Sequence, residues 1–104
     1  MPTPTPFSLA VPQSVLDDLE LRLARTRLPD EPPLAPWSTG TSVAYMRELI
    51  DYWRTSFDWR AQESRLNALR QYRVPLGDID LHFIHEPGRG PNPMPLLLSH
   101  GWPG

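Results

Sequence analysis

The sequence predicts an α/β chain in which a helical meander precedes an edge hairpin and one interior strand. Three observations carry that expectation. Apolar residues recur at helical spacing between residues 13 and 69, the period becomes alternating from Tyr72, and the stretch from Met94 is apolar on both faces. The expected division is a helical region over 1–71 and strands over 72–104. A chain of 104 residues suits one small domain, with a thin core, because short chains bury a smaller share of their surface.

Residues 2–12 read as a solvated, proline-rich lead-in. "PQSVLDDLELRLARTRLP" then reads as a helix with Leu16, Leu19 and Leu23 on one face. Ser14 and Asp17 resemble a capping box. Acidic residues lie toward the start and Arg22, Arg25 and Arg27 toward the end, as the helix dipole favours. Pro29 is the expected stop. "PDEPPLAPWSTG" holds too many prolines for a helix or a central strand and reads as a surface strap pinned by Trp37.

In "TSVAYMRELIDYWRTSF", Val43, Met46, Ile50, Trp53 and Phe57 form a helical apolar seam, the expected core. Asp58 is the expected N-cap of a further helix, "WRAQESRLNAL", with Trp59, Leu66 and Leu69 inward, and the two helices are expected to pack as an angled pair. "QYRVPL" alternates Tyr72, Val74 and Leu76, and Pro75 places it at a sheet edge. "LGD" signals the turn into "IDLHFIHE", where Ile79, Leu81 and Phe83 share one side. His82 and His85, three apart on a strand, point to opposite faces and cannot chelate one ion. "MPLLLSH" reads as an interior strand of a covered parallel sheet.

Composition narrows the function classes. The formal net charge is −2 with both signs interspersed, which leaves no basic footprint for nucleic acid. All ten basic residues are Arg. There is no Cys, so disulfides, thiolate chemistry and Cys-based zinc sites are excluded; a reducing, cytoplasmic setting fits. The N-terminal "MPTPTPF" lacks the features of a signal peptide, and no apolar run approaches the roughly 18 residues of a membrane span. No membrane anchor, metal or cofactor is expected.

The chemistry concentrates in "LLLSHGWPG". A strand running into His-Gly-x-Pro-Gly sets the permissive Gly101 and the φ-locked Pro103 on either side of Trp102. Such a turn can aim the Trp102 amide N–H into a cleft, where it would stabilise an oxyanion whatever its side chain. In hydrolases of the α/β class one such donor comes from the loop after the third strand, the position this motif occupies here. His100 is expected to tie the loop by hydrogen bonds without touching substrate.

On these residues the chain resembles the microsomal-type epoxide hydrolases, including the insect juvenile-hormone enzymes and their bacterial and fungal relatives. The resemblance runs from Phe7 to Gly104 and rests on "FSLAVP", "LDDLELRLARTRLPDE", "WSTG", "ELIDYWRTSFDWRAQESRLNAL", "IDLHFIHE" and "PLLLSHGWPG". It implies an N-terminal helical region followed by the first strands of a truncated α/β-hydrolase sheet. It also implies a two-step hydrolysis of a small-molecule epoxide, through an ester to an Asp on a nucleophile elbow. Only the oxyanion-hole loop, His100, Gly101, Trp102 and Pro103, matches positions of this chain; the nucleophile, its His and acidic partner, and the lid tyrosines lie beyond it in relatives. Tyr45, Tyr52 and Tyr72 do not match the lid motifs. The 104 residues are therefore expected to be inactive alone, with the rest of the hydrolase domain as their partner. The alternative is a non-catalytic module that binds a protein through the meander and the proline strap. An interior strand with open edges is a liability unless more sheet follows, which favours the first reading.

Overall fold

The computed structural model describes residues 1–102 and divides the chain into a helical unit, Leu9–Leu66, and a sheet unit of Met1–Ser8 and the described residues from Asn67 onward. The elements run β1 (Thr5–Phe7), α1 (Gln13–Ala24), α2 (Val43–Thr55), α3 (Trp59–Asn67), β2 (Gln71–Leu76) and β3 (Ile79–Ile84).

In the helical unit α1 starts at Gln13, one residue before the Ser expected to cap it. Pro12 is the N-cap and makes no side-chain bond; its carbonyl accepts from the Val15 and Leu16 amides. Proline suits this place because its ring presets the backbone angle without removing a needed donor. On the outer face Asp18 and Arg22 pair at 2.7 Å in the favourable acid-first order. The helix ends at Ala24, short of Pro29, where Thr26 turns its hydroxyl onto the Arg22 carbonyl at 3.2 Å. A β-branched residue that bonds its own backbone helps to close the turn here.

The strap that follows is locally structured. Ser38 donates through its amide and its hydroxyl to the Ala35 carbonyl, at 3.2 and 2.7 Å. Trp37 has φ 70°, unusual for a bulky residue, and its ring rests on Tyr45 with centroids 5.1 Å apart. Glu31 accepts from the Val43 amide at 2.9 Å, and Ser42 accepts from the Tyr45 amide at 3.4 Å. Two of the orphan donors at the start of α2 are thereby satisfied, one by the strap and one by the cap.

The seam on α2 is a core only at its start. Val43 is buried, at 6% exposure, and Met46 and Ile50 are half-buried, but Trp53 and Phe57 remain 43% and 38% exposed. Spacing identifies the face that avoids water, but it does not supply a neighbour to cover it. The main helix-on-helix contact is α1 against α2. Asp58 does cap α3, accepting from the Ala61 amide at 3.0 Å.

The sheet unit has the order β1-β2-β3, antiparallel throughout. Thr5–Phe7, expected within a solvated lead-in, is a strand: Thr5 pairs with Arg73, Pro6 with Tyr72 and Phe7 with Gln71. This moves β2 from the expected edge to the centre. Pro75 is tolerated there because β1 reaches only as far as Arg73, so the missing N–H faces no ladder partner on that side. The hairpin follows expectation, with Leu76 opposite Ile79 and a two-residue turn led by Gly77 at φ 59°. Tyr72, Val74 and Leu76 lie opposite Phe83, Leu81 and Ile79, and the Tyr72 and Phe83 rings stack at 5.6 Å.

The interior strand expected over 94–100 is not formed. Those residues carry no ladder, and Met94, Leu96, Leu97 and Leu98 are 81–91% exposed. A strand exists through bonds to a neighbour, and an apolar run signals only that burial is favourable. In the loop before it, a Cβ on Gly88 would clash with the Pro93 ring, so the close approach there requires glycine.

The cap on α2 is directly testable. Ser42→Ala should lower the stability of the helical unit by about 1 kcal/mol, read as a shift in the urea midpoint followed by helical circular dichroism.

Candidate functional site

The loop marked by the sequence runs from Ser99 to Trp102 within the described residues; Pro103 lies outside them. The Ser99 hydroxyl donates to the His100 carbonyl at 3.4 Å, and His100 Nδ1 lies 3.4 Å from the Gly101 carbonyl oxygen. The His100 ring thus meets its own backbone neighbour. The Trp102 side chain is 99% exposed, and the space a Gly101 Cβ would fill is open. Among the described residues no side chain of another element is recorded against this loop.

On one face of the sheet His82 shares a hydrogen bond of 2.9 Å between its Nε2 and the Gln71 side-chain oxygen. Phe7 meets the His82 ring edge-on at 5.0 Å, and the Arg73 guanidinium lies 4.3 Å above the Phe7 ring. These contacts account for His82 as a packing residue. The His85 amide donates to the Arg70 carbonyl at 2.9 Å, just past the end of β3.

The helical unit carries a second feature that sequence reasoning missed. Residues of α1 and α2, with Val11 and Trp59, line an open groove of about 610 Å³ whose walls are almost wholly apolar, including Leu19, Tyr52 and Trp53. At its rim stands Glu63. One carboxylate oxygen accepts from the Val11 amide at 2.8 Å and from the Trp59 indole N–H at 3.2 Å. Arg60 bonds both carboxylate oxygens, at 2.9 and 3.1 Å, and reaches back to the Val11 carbonyl at 2.8 Å and the Gln13 side chain at 3.1 Å. The Val11 bond is the main cause holding the Glu63 carboxyl below its usual range; desolvation opposes it, and Arg60 and Trp59 assist. The spacing of Trp59, Arg60 and Glu63 on one helix is a visible signal. Their partner Val11, 52 positions away, is not.

A helical meander and a three-stranded antiparallel sheet, followed in sequence by the Ser99–Trp102 loop, are the elements that the N-terminal part of an α/β-hydrolase fold shares with this chain. Residues 4–104 match the family model "Epoxide hydrolase N terminus". The chain belongs to that family. It is 46% identical over 100 residues to a Stigmatella aurantiaca protein with a provisional epoxide hydrolase name, and 36% identical over 107 residues to epoxide hydrolase 1 of Oryctolagus cuniculus. These alignments take in 96% and 95% of the chain but 23% of each relative, so the chain spans about a quarter of their length. Among solved structures it is similar to Aspergillus niger epoxide hydrolase, with TM-score 0.69 and 26% identity over 79% of this chain and 22% of that one. The juvenile hormone epoxide hydrolase of Bombyx mori shares the fold, with TM-score 0.76 at 18% identity over 88% of this chain and 24% of that one.

The groove predicts how the protein meets an apolar probe. An environment-sensitive naphthalene sulfonate dye should brighten on binding, and Leu19→Glu should weaken that signal several-fold. The same change at Leu34, on the strap, should leave it unaltered.

Proposed function

We propose that the protein to which this chain belongs converts epoxides to vicinal diols through a covalent ester. A carboxylate supplied by the rest of the polypeptide attacks an epoxide carbon, forming a C–O ester bond as the ring C–O bond breaks. The released alkoxide takes a proton from hydroxyl donors of the lid. Water activated by a His then cleaves the ester, returning the carboxylate and giving the diol. In this reading residues 1–71 form the N-terminal region and residues 72–104 open the catalytic domain.

The contribution assigned to this chain is the Trp102 amide N–H, on the loop with His100, Gly101 and Pro103. It steadies the negative oxygen of the tetrahedral intermediate during ester cleavage. The nucleophile is placed outside these residues, so they are inactive by themselves. The single observation that carries the reading is the family match running unbroken over residues 4–104, through the "HGWPG" loop. The exposed Leu96–Leu98 run suits cover by the rest of the hydrolase domain. A cytoplasmic setting accords with a cysteine-free chain in which no helix among the described residues is long and apolar enough to cross a membrane.

The intact protein given styrene oxide in ¹⁸O-water should release the diol, and in a single turnover the newly added hydroxyl oxygen should come from the enzyme's unlabelled carboxylate, with the ¹⁸O left in the enzyme. Absence of diol formation across styrene-type and stilbene-type oxides would sink the activity. Trp102→Pro, which removes the N–H, should lower kcat on the order of 10²–10³-fold, while Trp102→Phe should stay near the parent rate. Equal rates for the two variants would sink the assignment of the amide.

A further inference from the structure

We propose that Glu63 is a positioning residue, a clasp whose ionised carboxylate holds the Val11 backbone and the Trp59 indole in place as two walls of the apolar groove. The inference rests on geometry and is independent of the epoxide chemistry. Val11 lies on the approach to α1 and Trp59 opens α3, yet both donate to the same oxygen, at 2.8 and 3.2 Å. Both also line the groove. One side chain therefore sets the separation between two walls that belong to different parts of the chain.

The charge is what makes the arrangement work. A carboxylate is acceptor-only and can receive several N–H donors at once; a neutral acid keeps one weaker acceptor oxygen and turns the other into a donor, which would face the Arg60 guanidinium. With its side chain only 13% exposed, Glu63 has little water to replace lost partners. Arg60 is the cation bonded to it, while Asp58, at the start of the same helix, is engaged by the Ala61 amide. From α1, Asp17 accepts from Gln13, which also binds Arg60, and Glu20 joins Arg54 of α2 in lining a neighbouring hollow that shares Trp59.

The direction of the pH effect follows. The folded carboxyl is held below its usual range, so the clasp contributes fully above the ordinary glutamate value and is lost as pH falls through the lowered one. Acid then weakens the hold on both walls together.

Nitrogen-15 NMR on the labelled protein tests this at two named protons. On acidification the Val11 amide and the Trp59 indole N–H signals should shift together, with one midpoint below that of ordinary glutamates. In Glu63→Gln, which keeps the shape without the charge, that shared transition should vanish, and the naphthalene dye should bind several-fold more weakly at neutral pH. Separate midpoints, no transition in the parent protein, or the same transition surviving in Glu63→Gln would overturn the proposal. The parent titration stands by itself should the variant fold poorly.

Discussion

The constraint on which the rest depends is the pairing of β1 with β2. Thr5 bonds the Arg73 carbonyl across 68 positions of chain, so everything between them is an excursion that must return to its starting edge. Closing a loop of that length costs about 4 kcal/mol of chain entropy on the logarithmic law. Just inside it the Val11–Glu63 bond draws together residues near where the chain enters and leaves the helical unit. With the outer closure made, the inner one adds little further entropy cost. The strap is fastened by the same kind of device, since Glu31 reaches the Val43 amide at the start of α2. In both places a carboxylate accepts a backbone N–H, which keeps a proline-rich chain ordered without regular structure.

Most of the large apolar residues are uncovered among the described residues. Val43 is the buried hydrophobic residue among those described, whereas Leu49, Tyr52, Trp53 and Phe57 face an open groove and Leu96–Leu98 stand in solvent. Membership of a family whose curated relatives run to about four times this length accords with that pattern. The proposed catalytic role is similarly partial. A backbone donor can be shaped by the local Gly and Pro turn, but the charge it stabilises must arise on groups that other residues bring.

Much of the secondary structure was legible because its causes are local. Helical spacing located α1 and α2, Asp58 was visible as the cap of α3, and alternation with the Leu-Gly-Asp turn signal located the hairpin. Three things were not legible. Thr5–Phe7 is short and proline-flanked, and its partner lies far along the chain. Nothing in the sequence marks Glu63 as a clasp, because what distinguishes it is its bond to Val11, 52 positions away. The run over 94–100 carried the composition of a strand, but a ladder needs two participants.

By itself the amino-acid sequence determined which segments are helical, where the turns fall, which faces avoid water and to which family the residues are similar. These follow from side-chain shape, backbone allowance and spacing, all properties of neighbours in the chain. The tertiary structure alone decided that β2 is central, that Pro75 sits where β1 no longer reaches, and that Val11 and Trp59 share one carboxylate. Those outcomes depend on which distant groups meet, and a hydrogen bond between positions far apart leaves no mark on the spacing of either.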